Sequence, residues 1–219
     1  IRDYKVTGVQ TCALPIYIDA LRLESIAFED FHMSPTCSPS RAALLTGNVP
    51  FKNGVTHTGG ARSRLALSAV TLPEYLKQAG YTSGIFGKWH LAGRGDASFY
   101  AQHHGFDVNV GGCELGGPPT FFDPYRIPTI PDRRAGEYLP DRLADESIQF
   151  MRANRNKRFL LFLWPYTVHW PMEAPQHLID KYADRNGPGL NDTRYGAMIE
   201  ARRPKAAAAP VPVPRTAVG

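Results

Sequence analysis

Residues 159–164 read Phe-Leu-Leu-Phe-Leu-Trp, an unbroken apolar run between Lys157-Arg158 and Pro165. A strand with one wet face alternates apolar and polar side chains, so a continuous run of strand length predicts a strand covered on both faces. Such strands sit in parallel sheets between layers of helix. The run is far shorter than the roughly 20 residues a membrane-spanning helix needs. The opening residues do not read as a signal segment either, so no membrane span is expected.

The flanking patterns supply the helices. Residues 18–26 place apolar side chains at helical spacing and lead into a short extended stretch, 27–33. Ser38 as N-cap, Pro39 at the first helical position and Gly47 in a left-handed C-terminal position predict a helix over 39–46. Thr71 and Glu74 have capping-box spacing around Pro73, and the helix they open stops at Gly80. Residues 81–91 read as a strand. Residues 93–136 are dense in Gly, Pro and aromatics without a period, which predicts a long ordered loop carrying substrate contacts more than core. Leu139, Leu143, Ile148 and Met151 mark an amphipathic helix ending near 154–156. Helices alternating with apolar runs give an α/β class with functional groups at the carboxyl ends of the strands. There is no internal repeat.

The formal charge of +5 would ordinarily suggest an acidic partner such as nucleic acid. The excess lies at the two ends: Arg2 and Lys5 against Asp3, and Arg202, Arg203, Lys205 and Arg215 against no acid, leaving residues 17–200 neutral. Residues 1–16 contain VTGVQTCALPI, which resembles a translated sequencing adapter. Residues 201–219 turn abruptly to Ala, Pro and Arg, as a frameshifted GC-rich gene would, or as a polyproline-like disordered tail would. The expected organisation is therefore a non-native segment 1–16, a partial catalytic domain 17–200 and a tail 201–219, with no nucleic acid as partner. Of three Cys, Cys12 falls in the first segment. Cys37 and Cys113 form neither a disulfide framework nor a zinc spacing.

Cys37 stands just before a predicted helix N-terminus, where unpaired backbone N–H groups and the helix dipole favour an anion. Arg41, about one turn on, adds fixed positive charge on the same side. That is a place to hold an oxyanion beside a nucleophile, although a Cys in isolation reads as a small buried hydrophobe. The string Cys37-Ser38-Pro39-Ser40-Arg41, continuing to Thr46-Gly47, fits the pattern C-x-P-S-R-x-x-x-x-T-G at every defined position. Gly87-Lys88-Trp89-His90 follows the next helix, and His169-Trp170-Pro171 follows the apolar strand.

On these motifs the chain, from about Tyr17 to Glu200, resembles the N-terminal part of a type I, formylglycine-dependent sulfatase. The resemblance implies an alkaline-phosphatase-like α/β sandwich, with a central, mostly parallel sheet flanked by helices and truncated here at both ends. It implies that a separate formylglycine-generating or anaerobic maturation enzyme oxidises Cys37 to an aldehyde, which hydrates to a geminal diol. One diol oxygen attacks sulfur and releases the alcohol. The second hydroxyl then loses its proton and expels sulfate, splitting one hard step into two. By the same match Arg41 orients the diol, Lys88 pairs with sulfate oxygens, His90 hydrogen-bonds the diol or takes its proton, and His169 binds sulfate and protonates the leaving oxygen. Lys88 and His90, two apart on a strand, are expected to face one way.

Among the other candidates, His103 and His104 before Gly105-Phe106-Asp107 read as a structural turn. His57 either lines the pocket or is an exposed loop histidine, and His32 and Cys113 give no sharper reading. Asn109, Glu114 and Asp123 lie in the loop expected to meet the organic part of the substrate. The family also implies a divalent ion, usually calcium, held by the formylglycine at position 37, an aspartate pair on a first strand and a later Asp-Asn or Asp-His pair. An oxygen-rich acidic shell suits such a hard cation. No Asp-Asp pair occurs in this sequence, so the chain is expected to lack the metal site and to be inactive. Alternatives left open are a phosphonate monoester or phosphodiester hydrolase of the same superfamily, a non-catalytic sulfated-glycan-binding remnant and, last, a thiol-based Cys/His hydrolase. The implied partners are a sulfate-ester small molecule or sulfated glycan, with periplasm, lysosome or secretion as the family's compartments.

Overall fold

The computed structural model describes residues 22–185 and 192–201. Residues 1–16, most of the predicted helix 18–26 and nearly all of the tail fall outside them. Residues 22 and 23 are helical, the chain leaves the helix by 25, and Leu23 and Ile26 are exposed.

In chain order come helices α1 (Cys37–Thr46), α2 (Pro50–Asn53) and α3 (Leu72–Lys77), strands β1 (Thr82–Gly87) and β2 (Val108–Val110), helix α4 (Leu139–Ala153), strand β3 (Phe159–Trp164), and helices α5 (Gln176–Tyr182) and α6 (Thr193–Glu200). The three strands make one sheet in the order β2-β1-β3, all parallel. Register runs from Thr82 opposite Phe159 to Gly87 opposite Trp164, and Gly84 lies opposite Val108. The α/β class and parallel sheet agree with the sequence reading.

The apolar run of β3 is a parallel strand, but among the described residues it lies at the sheet edge, and Leu163 is 45% exposed. The centre is β1, whose residues after Thr82 are all buried. Phe86 meets Phe150 of α4 at 5.6 Å, and Phe150 meets Phe159 of β3 at 5.9 Å. On the other face Phe106 packs edge-on against Phe162 at 5.5 Å and against Trp89 at 6.1 Å. These tilted and edge-on contacts are the favoured aromatic geometry.

Two helix starts test the cap reading. The Thr71/Glu74 capping box forms, with the Thr71 backbone N–H donating to the Glu74 carboxylate at 2.8 Å. The expected Ser38 cap does not. Helix α1 begins at Cys37 after an extended Thr36, and Ser38 is buried in the first turn with its hydroxyl donating to the His90 carbonyl at 2.8 Å. A tertiary acceptor has replaced the local one. Gly47 does terminate the helix in the left-handed region, at φ 66°.

Residues 93–136 are more structural than expected. They contain β2 and bury Phe106, Cys113, Phe121, Tyr125, Ile127 and Ile130 in the core. Asp123 accepts backbone hydrogen bonds from Arg133 and Arg134, and buried Glu137 accepts from Tyr125 and Arg133 and lies 3.6 Å from Arg142 of α4. Asn109 closes a turn onto Gly112, and Glu114 accepts from the Tyr100 hydroxyl at 2.6 Å. All three polar candidates thus have partners that order the loop.

If β1 is the centre, Ile85→Ala should cost about 2–5 kcal/mol by the cavity it leaves. Leu163→Ala, at a half-open position, should cost about 1 kcal/mol or less. Urea denaturation midpoints of the two variants check the ranking, and equal losses would contradict it.

Candidate active site

Strand β1 ends at Gly87, so Lys88, Trp89 and His90 do not continue it as the sequence reading expected. Gly87 has φ 106°, and a Cβ there would stand 2.2 Å from the Trp164 carbonyl oxygen, so only glycine makes this exit. His90 takes φ 60°, an uncommon conformation for a side-chain-bearing residue. The two side chains reach one place through this turn instead of through strand alternation.

The segment is held by its peptide groups. The Lys88 N–H donates to the Trp164 carbonyl at 2.7 Å and the His90 N–H to the Cys113 carbonyl at 2.8 Å. Arg41 donates to the Lys88 carbonyl at 2.6 Å, as Ser38 does to that of His90. The first turn of α1 therefore supplies Cys37 and also fixes the backbone of the two residues that face it. Trp89 is fully buried, with its indole N–H donating to the Phe99 carbonyl at 2.9 Å.

All five predicted site residues converge. The Cys37 sulfur lies 3.2 Å from His90 Nδ1 and within electrostatic reach of Lys88. Lys88 Nζ, fully buried, donates to His169 Nε2 at 2.9 Å, and the Arg41 guanidinium lies 4.6 Å from the centre of the Trp164 ring. Trp164, Ser38 and Tyr166 also shape the site; the sequence marks the first as strand and the second as a cap, and Tyr166 not at all. The Tyr166 hydroxyl donates to the Gly111 carbonyl and contacts the buried Cys113 thiol, which burial pushes up to about 11. His57 and His32 are exposed.

Burial and mutual repulsion set the protonation states. Burial lowers Arg41 to about 10, against the attraction of Cys37. Burial likewise lowers Lys88, opposed by Cys37 and aided by Arg41. His90 is pushed down to about 4 by burial, then by the charges of Lys88, Arg41 and His169. His169 is lowered by burial and by Lys88 and Arg41. Both imidazoles are therefore neutral near pH 7 beside two cations. Such an arrangement, at the carboxyl ends of parallel strands, can attract an oxyanion.

A family model described as Sulfatase matches residues 10–208, and the chain belongs to that family. It is 32% identical to mouse N-acetylgalactosamine-6-sulfatase over 231 residues, covering 90% of this chain and 41% of that protein. The chain thus spans about two fifths of that relative's length. Among solved structures, Ps i-CgsB in complex with k-i-k-neocarrahexaose superposes with TM-score 0.61 at 23% identity, covering 77% of this chain and 42% of the other. BT4656 in complex with its substrate D-glucosamine-2-N,6-O-disulfate gives TM-score 0.58 at 25% identity, covering 80% and 34%.

The family's divalent ion finds no fit among the described residues. No group of three or more His, Cys, Asp or Glu side chains able to hold a metal forms, and the neighbours of Cys37 include two cations that would repel one. No described helix is long and apolar enough to cross a membrane.

His104 supplies a test of how firmly the segment is buried. Its ring lies 5.3 Å from that of Trp89, and both its nitrogens are buried without a hydrogen-bond partner. Burial lowers its pKa, with Glu74 opposing and His103 adding to the effect. The unfolded chain binds a proton near pH 6.5 that the folded chain resists, so folding stability should fall as pH drops below about 6.5. His104→Phe should show a smaller loss between pH 7 and pH 5 in denaturation midpoint. An unchanged loss would mean that His104 is not held neutral.

Proposed function

We propose that the chain carries the sulfate-holding and nucleophile-bearing part of a sulfuric ester hydrolase that uses a formylglycine made from Cys37. The observation that carries this reading is the convergence of Cys37, Arg41, Lys88, His90 and His169 on one point. Position 37 fits the modification: its side chain heads a ten-residue helix, contacts His90 Nδ1 and lies within electrostatic reach of Lys88. The hydrated aldehyde would supply an oxygen nucleophile for sulfur and a second hydroxyl through which sulfate is later expelled.

The chain's own residues divide the remaining work. Arg41, fixed by the Lys88 carbonyl and the Trp164 ring, directs positive charge at the side chain of residue 37 without freedom to swing away. Lys88 faces both residue 37 and His169, so its ammonium can pair with sulfate oxygens held between them. His90, neutral above about pH 4, can accept a proton from residue 37 through Nδ1. Neutral His169 accepts from Lys88 at Nε2, which leaves its Nδ1–H to hydrogen-bond the leaving oxygen. Fixed cations around a transferring sulfuryl group stabilise charge on its oxygens. No step is assigned to a metal, because the described residues do not form its shell, and turnover by this chain alone is expected to be undetectable. The substrate class we assign is a sulfated sugar, in keeping with the names of the relatives above.

After co-expression with a formylglycine-generating enzyme, peptide mass spectrometry should find the aldehyde at residue 37, and it should vanish in Cys37→Ala. Inorganic sulfate should bind the chain, and Lys88→Ala should weaken it about tenfold or more, roughly 1.4 kcal/mol. A free thiol together with sulfate binding indifferent to Lys88 would overturn the reading. Measurable sulfate release by the chain alone would overturn the expectation of inactivity.

A further inference from the structure

The residue after His169 is exposed on the rim of the site and has no part in the chemistry above. Trp170 is 71% exposed, unusual for the largest apolar side chain, which is strongly buried on average. The Arg194 guanidinium, held by Asp192 at 2.7 Å, lies 6.0 Å from the ring centre.

The opposite wall lacks side chains. A Cβ at Gly116 would stand 2.8 Å from the His90 ring, and one at Gly117 would stand 2.7 Å from the Trp170 carbonyl oxygen and 3.4 Å from His169 Cβ. Neither glycine has a positive φ, so what they provide is close approach of the backbone. The two lie directly against His90 and the His169-Trp170 backbone.

We infer that Trp170 is a stacking platform for a pyranose ring, which makes it the residue that selects sulfated sugars over other sulfate esters. This rests on the reading of Lys88 and His169 as the sulfate-holding pair, since that pair places the ester oxygen, and hence the sugar, beside residue 170. A pyranose has one face of C–H groups that suits a flat indole and a periphery of hydroxyls that needs water, and an exposed Trp offers both environments. An aryl group would call for an enclosed apolar pocket, whereas the Trp170 ring is exposed.

Calorimetric titration of the chain and of its Trp170→Ala and Trp170→Phe variants tests this with inorganic sulfate, N-acetylgalactosamine 6-sulfate and phenyl sulfate. The sugar sulfate should bind the chain about tenfold more tightly than sulfate. Trp170→Ala should erase that advantage with sulfate affinity unchanged, and Trp170→Phe should keep most of it. Retention of the advantage in Trp170→Ala, or an equal Trp170-dependent gain with phenyl sulfate, overturns the sugar platform and leaves the sulfate reading intact. If sulfate binds but is indifferent to Lys88→Ala, the parent reading fails, and the platform fails with it.

Discussion

The site depends on what happens to the chain as it leaves β1. Three residues, Lys88, Trp89 and His90, must be carried out of a buried strand while their peptide groups remain away from water, and buried peptide groups need partners. Four are supplied, from three parts of the chain. The Trp164 carbonyl at the end of β3 takes the Lys88 N–H, and the Cys113 carbonyl in the long loop takes that of His90. Arg41 and Ser38 in the first turn of α1 take the two carbonyls. Satisfying these groups brings β1, β3, α1 and the loop to one point, and the side chains of Cys37, Lys88, His90 and His169 are delivered with them. The same bonds that close the fold thus set the geometry of the site.

That convergence concentrates like charge. Arg41 and Lys88 lie within mutual electrostatic reach, and each lowers the proton affinity of the imidazoles beside them. Two cations brought together out of water stabilise the fold only if an anion joins them, because a buried charge without a partner is costly. A thiol at the head of a helix offers partial relief, and a divalent oxyanion would offer more. The formal charge of +5 has little bearing on this. Its excess lies in residues 1–16 and 201–219, whereas the charges that matter are two side chains inside a neutral middle.

The sequence made the grouping of the site's residues legible because its spacing is strict. Cys37 and Arg41 share a helix, Lys88 and His90 share a short segment, and His169 follows an apolar strand. The sheet order was less accessible. An unbroken apolar run marks a strand but not its place, and β3 borders the described sheet while the less apolar Thr-Ser-Gly-Ile-Phe-Gly of β1 forms its centre. Glycine and serine read as turn formers locally. Here they are small residues under Phe150 and beside Asp107, where tertiary packing outweighs propensity. Strand β2 was hidden for a related reason: three residues carry no period, and it exists only because β1 offers an edge.

The two most informative errors fall inside the site. Ser38 has the composition of a helix cap but spends its hydroxyl on the His90 carbonyl, and His90 sits in a chain direction that predicts a strand but turns at φ 60°. Each departs from its local preference, and each does so because of the other: the positive φ of His90 aims its carbonyl at α1, and Ser38 forgoes the cap to receive it. A conformation of this kind persists only where surrounding contacts over-determine it, and it is there that local rules should fail in an otherwise consistent sequence. The misreading of a cap and of a strand end therefore locates the site independently of the cysteine motif.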